Sequence, residues 1–251
     1  MEKELPKAPL MEHLQELRQR ILKSIAAVLI FSAISFFYAK YVFEILKYPI
    51  DVYYPGMKLI TLSPTEPLFI MMEISVIVGI ILAIPVILYQ IWRFVEPALY
   101  PEEKRLVFPL VFFSLVLFVM GASFAYFAVL PMALKFLIGI GFSQLRAKPM
   151  LSAELYINFL LKMLLGFGIA FEMPIFLFML QRAGIISTKQ LKSFRKYFIV
   201  VAFFIGALIA PDVSTQILMA LPLIALYEIS IFVGRFAVKK QNTSKDIQKA
   251  Q

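Results

Sequence analysis

An isolated acid lies within a long apolar stretch of the chain. Glu172 is the only ionisable residue in LLGFGIAFEMPIFLFML, residues 164–180. An ionised carboxylate at the centre of a membrane helix costs roughly 2.5–3.5 kcal/mol, so such residues usually serve a function. Pro174 follows closely and frees a backbone carbonyl near the acid. Three interpretations stay open: a protonated carboxyl bonded within the bundle, a hydrogen-bond partner for another subunit's helix, or part of a proton or ion path.

Few polar side chains in the other apolar stretches could meet Glu172. They are Gln90, Gln216 and Glu228. A proton path normally uses a chain of titratable groups. The acids within apolar stretches, Glu73, Glu172 and Glu228, are not connected in sequence, so such a chain is not indicated.

A second group of acids lies in FVEPALYPEEKRL, residues 94–106, which includes Glu96, Glu102 and Glu103. Two adjacent acids after Pro101 fit an ordinary helix start, where carboxylates favour the positive end of the helix. The alternative is an anionic pocket for a cationic ligand, because arginine pairs with carboxylates through two parallel hydrogen bonds.

The stretch MEHLQELRQRIL, residues 11–22, has apolar residues at helical spacing and acids on another face. This pattern predicts an amphipathic helix at the membrane surface. Its acids, Glu12 and Glu16, disfavour anionic lipid. Together with Glu102 and Glu103 they could form a carboxylate cluster on one side of the membrane.

The composition indicates a polytopic membrane protein. The 251 residues are 61% hydrophobic and 16% charged, with a mean hydropathy of +0.84. A soluble domain has about 45–50% apolar and about 25% charged residues. With no cysteine and His13 as the single histidine, disulfides, thiolate metal sites and most nucleophile–histidine arrangements are excluded. The net charge of +9 fits cationic flanks of membrane helices.

Six membrane-spanning helices are predicted to position these groups. They cover about 21–38, 68–91, 106–130, 155–180, 197–210 and 216–233. Pro85 is expected to kink the second, and Pro131 is expected to end the third. Long loops are expected at about 39–67 and 131–154. The fifth and sixth spans are expected to be short, because about 14 residues reach only roughly 21 Å across a hydrocarbon core of roughly 30 Å.

Basic residues predict the orientation. Eighteen lysines and arginines fall on the side of the N-terminus and six on the other side. The positive-inside rule therefore places both termini in the cytoplasm. The predicted fold class is an all-α membrane protein, with one six-helix domain at 1–235 and a disordered cytoplasmic tail at 236–251.

Four segments together resemble the TatC family, the large subunit of the twin-arginine protein translocase. They are HLQELRQRIL near the N-terminus, PVILYQIWRFVEPALYPEEKRL after the second span begins, FGIAFEMPI in the fourth span and APDVSTQ between the last two. The resemblance covers nearly the whole chain. It implies a concave bundle in the inner membrane that binds Arg-Arg signal peptides of folded cargo.

The resemblance also implies partners and site residues. TatC proteins form a receptor with TatB and recruit TatA, and the proton-motive force drives transport. The arginine-pair site corresponds to Glu103 and Glu16, with Phe94 and Arg18 beside them; the adjacent Glu102 obscures which acid of the loop binds arginine. Glu172 is expected to meet a polar group of a TatA or TatB helix. Further family-motif positions are Pro49, Pro85, Gln90, Asp212 and Gln216.

Three other classes of protein would account for part of the sequence. An ion-coupled secondary transporter with an intramembrane glutamate is the main alternative, but it predicts two related halves, and no repeat is evident. An intramembrane enzyme needs a nucleophile–base pair or a metal site, so no enzymatic activity or cofactor is predicted. A motor stator would use one buried acid beside a proline, but would leave the acidic loop unexplained.

Overall fold

The computed structural model describes residues 7–95, 107–145, 150–182, 184–210 and 212–249. These parts form eight α-helices, joined by a π-helical segment and two short strands. The helices are α1 Lys7–Tyr53, α2 Glu66–Val95, α3 Val107–Phe124, α4 Leu130–Leu145, α5 Ala153–Phe171, α6 Met173–Arg182, α7 Thr188–Ile209 and α8 Val213–Lys249. The π-helical segment is Ala125–Val129, and the strands are β1 Leu59–Ile60 and β2 Leu151–Ser152. The all-α fold class is confirmed.

Five helical stretches are long and apolar enough to cross a membrane. They are Met11–Tyr53, Glu66–Val95, Phe108–Gly139, Ala153–Arg182 and Val213–Gly234. The protein is therefore a multi-pass membrane protein. The first four stretches alternate in direction, and Gly234 of α8 packs against Gln181 near the end of α6, so α8 starts on the side where α5 starts. The strand side holds β1, β2 and the α7–α8 turn, and the N-terminal side holds the start of α1 and the end of α2.

Helix α7 contains the predicted fifth span but is not among the five stretches. Its first half carries four basic residues, and these lower its hydropathy: Lys189, Lys192, Arg195 and Lys196. The number of crossings, the orientation and the domain boundaries stay predictions. Helix α8 extends to Lys249 and so includes most of the segment expected to be a disordered tail.

Helix α1 is much longer than the predicted first span. It has 47 residues, and at 1.5 Å per residue it is about 70 Å long. The predicted loop from Ala39 is wrong for its first part, because the helix continues to Tyr53. Polar residues after Tyr38 lower the hydropathy of the segment, but they do not end the helix. Lys47 and Asp51, for example, form an ion pair of 3.2 Å one turn apart, which supports helix.

Pro49 interrupts the hydrogen bonding of α1 near its end. Because proline has no N–H, the Ile45 carbonyl lacks its usual partner four residues later. The Tyr126 hydroxyl donates to the Ile45 carbonyl at 2.7 Å, and the Tyr156 hydroxyl donates to the Leu46 carbonyl at 2.7 Å. The two tyrosines therefore satisfy the backbone around Pro49 and join α1 to the π-helical segment and α5.

The third predicted span does not end at Pro131. Helix α4 begins one residue before it and continues to Leu145, so much of the expected second loop is helical. In the preceding π-helical segment, the Leu130 N–H already donates five residues back, to the Ala125 carbonyl. The regular bonding is shifted at this point, so the missing N–H of Pro131 is tolerated in the first turn of α4.

The two other prolines differ in their effects. The predicted fourth span is broken into α5 and α6 at Glu172. Pro174 is the second residue of α6, where its missing N–H removes a bond to the preceding turn. Helix α2, in contrast, runs across Pro85 as one helix of 30 residues.

Small residues allow two pairs of helices to pack closely. A Cβ on Gly79 of α2 would overlap the backbone and hydroxyl of Ser32 on α1, and a Cβ on Gly168 of α5 would overlap the Phe118 ring of α3. Close backbone approach at small residues is a common way for membrane helices to associate. These contacts fix α1 against α2 and α3 against α5, the pairs that carry the candidate sites.

Glu66 joins two loops on the strand side. Its buried carboxylate accepts from the N–H groups of Leu62 at 2.5 Å, Ser63 at 3.3 Å and Glu154 at 3.1 Å, and from the Ser152 hydroxyl at 3.3 Å. Beside it, β1 and β2 pair in parallel. A buried carboxylate is stable only when it is well bonded, so Glu66 orders this side of the molecule.

Candidate functional site

The start of α1 meets the end of α2 on the N-terminal side. The His13 ring stacks on the Phe94 ring, with centroids 4.3 Å apart and an angle of 15° between the ring planes. One turn further along α1, the Glu16 carboxylate accepts from the Arg20 guanidinium, with an Nε to Oε1 distance of 3.0 Å. These side chains form one cluster, the N-terminal cluster: His13, Glu16, Arg20, Gln90 and Phe94.

The Glu16 carboxylate lies among basic side chains. Its Oε1 is bound by Arg20, and its Oε2 lies 3.8 Å from His13 Nδ1. Arg93 of α2 also acts on it electrostatically. The side chain is 33% exposed, so solvent reaches the group. The predicted arginine-binding residue is thus a carboxylate that already holds one guanidinium.

The arginine bonded to Glu16 is Arg20, whereas the residue predicted beside it is Arg18. Arg18 is exposed and makes no contact with the N-terminal cluster. Two helical residues turn a side chain by about 200°, so Arg18 points away from Glu16, while Arg20 lies on the same face one turn on. The other two predicted arginine-binding acids, Glu102 and Glu103, lie outside the described residues.

Gln90 belongs to the N-terminal cluster and makes no described contact with Glu172. Its Oε1 accepts from Arg20 Nη1 at 3.4 Å. The expectation of an intramembrane contact beside Glu172 therefore has no support in the described contacts. Gln90 instead joins α2 to the arginine that holds Glu16.

Glu172 occupies the break between α5 and α6. It lies ten residues before Arg182, the last residue of α6, which is about 15 Å along the helices. The close packing of Gly168 against Phe118 brings this break to α3, because α3 and α5 run antiparallel. One turn before Phe118 is Ser114, and its hydroxyl lies beside the Glu172 carboxyl.

A buried tryptophan orients that serine. Trp92 Nε1 donates to Ser114 Oγ at 3.1 Å, and both side chains are buried, 2% and 0% exposed. Because the serine oxygen accepts from Trp92, its own proton is directed elsewhere, and the Glu172 carboxyl is the acceptor beside it. Trp92 and Ser114 therefore form a supporting pair for Glu172 that sequence reasoning did not find.

One carboxyl oxygen of Glu172 is left without a bond. Oε1 is buried and makes no hydrogen bond with any residue that the structure describes. Buried polar atoms are normally bonded, and an exception calls for an explanation. A donor from outside the described chain would complete this carboxyl, as the partner-helix interpretation requires.

Asp212 and Gln216 organise the α7–α8 turn. Asp212 Oδ2 accepts from the Thr215 N–H at 2.9 Å and its carbonyl accepts from the Gln216 N–H at 3.0 Å, which is an N-cap for α8. Gln216 Nε2 donates to the Phe203 carbonyl of α7 at 2.8 Å. Both family-motif residues thus fix the turn, and no described contact joins Gln216 to Glu172.

A second intramembrane acid has a partner that sequence reasoning missed. Asn158 Nδ2 of α5 donates to Glu73 Oε1 of α2 at 2.6 Å, and Lys162 lies close enough to Glu73 to act on it electrostatically. In the sequence Glu73 stands out as an isolated acid, whereas the uncharged side chain of Asn158 does not stand out. In the described ranges, no group of three His, Cys, Asp or Glu side chains is arranged to hold a metal ion.

Comparison with known proteins identifies the family. The model of the family described as Sec-independent protein translocase protein (TatC) matches residues 12–222. The chain is 64% identical to the Sec-independent protein translocase protein TatC of Aquifex aeolicus, over 96% of this chain and 100% of that one. It is 42% identical to the TatC of Desulforapulum autotrophicum, over 98% of this chain and 91% of that one.

Two solved structures are similar to this chain in both sequence and fold. A crystal structure described as the twin arginine translocase receptor TatC has 65% identity and a TM-score of 0.86, covering 90% of this chain and 99% of that one. A second, of the receptor in DDM, has 66% identity and a TM-score of 0.84, covering 88% and 99%. The residues matched by the family model, 12–222, include the N-terminal cluster and the α5–α6 break. This chain belongs to the TatC family of Sec-independent protein translocase proteins.

Proposed function

We propose that this protein is the receptor subunit of a twin-arginine translocase. It binds the Arg-Arg signal peptides of folded cargo on the N-terminal side and assembles with the single-span subunits TatA and TatB. The observation that carries the proposal is the similarity to solved twin arginine translocase receptors along nearly the whole chain. The Glu16 carboxylate that already binds a guanidinium gives it a chemical basis.

The N-terminal cluster supports arginine recognition by exchange. The partly exposed carboxylate of Glu16 binds the guanidinium of Arg20. A signal-peptide arginine can replace Arg20 on this carboxylate, and Arg20 can then remain on Gln90. The second arginine of the pair would bind Glu103, with Glu102 adjacent. The Phe94 ring, stacked on His13, supplies an aromatic wall on which a guanidinium can pack.

The α5–α6 break supports partner recognition within the membrane. A polar side chain on a TatA or TatB helix would donate to the free Oε1 of Glu172. Ser114, which accepts a hydrogen bond from Trp92, lies beside the same carboxyl. In hydrocarbon, no water is present to bond a polar atom that lacks a protein partner. The contact would therefore select helices that carry a donor at this depth.

The same proposal fixes the location and orientation. The basic residues concentrate on the N-terminal side, which therefore faces the cytoplasm. The protein lies in the inner membrane with both termini inside, and several copies contribute to a receptor complex. Transport is driven by the proton-motive force acting on the complete translocase.

Site-specific photocrosslinking in native-like membranes tests this function. A photoreactive residue replaces Glu103, and separately Met173 beside Glu172. The ligand is an Arg-Arg signal peptide, and a Lys-Lys version of the same peptide is the control. We expect position 103 to crosslink the Arg-Arg peptide alone and position 173 to reach a single-span subunit. Failure to crosslink the peptide, together with solute or proton transport by the purified chain, would favour the ion-coupled secondary transporter.

A further inference from the structure

A groove lies between α4 and the start of α8, away from both candidate sites. It has a volume of about 680 Å³, and six of its eight lining residues are apolar: Met132, Phe136, Gly139, Ile217, Leu218 and Leu221. The two polar lining residues are Lys135 and Ser214. Both helices belong to apolar stretches that can cross a membrane, so the groove opens towards lipid.

The groove has a polar end and an apolar end. Helices α4 and α8 run antiparallel, so Gly139 and Ser214 lie at the end nearer the strand side, while Met132 and Leu221 lie deeper. Ser214 and Leu221 are seven residues apart, about 10 Å along the helix. A lysine in this position extends its ammonium towards the membrane surface while its methylene groups cover apolar atoms. Gly139 is the last residue of one apolar stretch and Ser214 is the second of another, so the polar end is the one nearer the membrane surface.

The cation at this end has no partner in the described part of the chain. Lys135 is exposed and takes part in no hydrogen bond or ion pair there. The nearest acid in sequence to Ser214 is Asp212, which does not line the groove and whose Oδ2 is bound to the Thr215 N–H. The charge at the polar end of the groove is positive.

We propose that this groove binds one anionic phospholipid of the leaflet on the strand side. An acyl chain occupies the apolar part between α4 and α8, and the phosphate accepts hydrogen bonds from Lys135 Nζ and Ser214 Oγ. The lipid couples the third crossing to the start of α8, next to the turn fixed by Asp212 and Gln216. This site is independent of signal-peptide binding and of the orientation in the membrane.

Lipid retention by the purified full chain tests the proposal. The delipidated protein is titrated with phosphatidylglycerol or with phosphatidylcholine of the same acyl chains. Native mass spectrometry counts retained lipids, and thermal unfolding reports stabilisation. We expect one retained phosphatidylglycerol, a larger rise in unfolding temperature than with phosphatidylcholine, and no rise with soluble glycerol phosphate.

Two substitutions test the lipid headgroup and the acyl chain separately. Lys135→Gln removes the cation, and a single exposed ion pair of this kind should change the preference for phosphatidylglycerol by roughly twofold to fivefold. Gly139→Phe fills the groove, and it is compatible with the fold because a Cβ there meets no atom within 4 Å; it should abolish retention of both lipids. Lys58→Gln, at another exposed lysine of the strand side, should change nothing.

Several results would overturn the proposal. Equal retention of the two lipids by the unchanged chain, or an unchanged preference in Lys135→Gln, would exclude a phosphate at Lys135. Retention of phosphatidylglycerol by Gly139→Phe would exclude a chain in the groove. If that variant unfolds at a lower temperature, Ile217→Trp fills the same groove from the exposed face of α8. A photoreactive residue at position 139 that crosslinks a protein and no lipid would assign the groove to a partner helix.

Discussion

At the scale of single residues, charges in unexpected places carried most of the information. Glu172 and Glu16 stand out in the sequence because one lies in an apolar run and the other on a helix meant for a membrane surface. Ser114, Asn158 and Tyr126 did not stand out. Small uncharged polar residues are common in membrane helices, and the partners of these three lie 22 to 85 residues away in the sequence. No local pattern could reveal them.

The Ser114–Trp92 pair should position Glu172. Ser114→Ala leaves the buried Trp92 N–H without an acceptor, which costs about 1–3 kcal/mol, and removes the donor beside the carboxyl. We expect a lower unfolding temperature and a weaker crosslink from position 173 to a single-span subunit. Ser193→Ala, at an exposed site of α7, is the matched control. Identical stability and crosslinking in the two variants would refute the positioning role.

At the scale of elements, hydropathy located the apolar segments but not the helix ends. Helix α1 continues past the predicted end at Tyr38 to Tyr53, and α4 continues past Pro131 to Leu145. Hydropathy reports the thickness of the membrane, whereas a helix ends where its backbone bonding ends. The break at Glu172 lies beside Pro174, which the sequence indicates, whereas the tolerance of Pro131 depends on the π-helical segment before it.

The environment of Pro49 can be tested by a double-mutant cycle. Tyr126→Phe removes the exposed hydrogen bond to the Ile45 carbonyl and should cost about 0.5–1.5 kcal/mol of unfolding free energy. In a Pro49→Ala background the restored alanine N–H can bond that carbonyl, so the same change should cost less. Chemical unfolding in detergent measures all four proteins. Additive effects of the two substitutions would show that Tyr126 does not replace the bond that Pro49 lacks.

The close contact of α1 with α2 should support the N-terminal cluster. Gly79→Ala places a methyl group against the backbone of Ser32, and overpacking of this kind costs about 1–3 kcal/mol. The methyl group should push α1 and α2 apart, and these helices carry Glu16 and Phe94. We therefore expect lower stability and weaker binding of an Arg-Arg peptide. Gly139→Ala adds a methyl group in open space and should leave both unchanged. Normal peptide binding by a destabilised Gly79→Ala would contradict this link.

At the scale of the whole molecule, the family resemblance predicted the all-α fold and the receptor class, and the comparisons bear both out. Residue patterns alone left the transporter open, because a single buried acid suits several functions. The strand-side arrangement around Glu66 was not predicted. It joins residues 62–66 to residues 152–154 across a sequence separation of more than 80, and neither segment carries a recognisable motif.

Glu66 should order the strand side as a unit. Glu66→Gln places an amide where the carboxylate accepts four hydrogen bonds, so both loops should loosen. The chain has no cysteine, and Leu62→Cys with Met150→Cys, both at exposed positions, gives one pair of spin labels. We expect a broader distance distribution in Glu66→Gln. Glu44→Gln, at an exposed position of α1, is the control, and an equally narrow distribution in both would contradict the role of Glu66.

The proposed function depends on carboxylates on the N-terminal side that bind an arginine pair specifically. The most direct measurement is the dissociation constant of an Arg-Arg signal peptide and of its Lys-Lys version, for the protein in lipid nanodiscs, before and after Glu16→Gln and Glu103→Gln. Bonds from a guanidinium to a carboxylate are each worth about 1.5–3 kcal/mol. We expect each substitution to weaken binding of the Arg-Arg peptide by roughly tenfold or more and binding of the Lys-Lys peptide much less. Equal losses for the two peptides, or no loss, would contradict it.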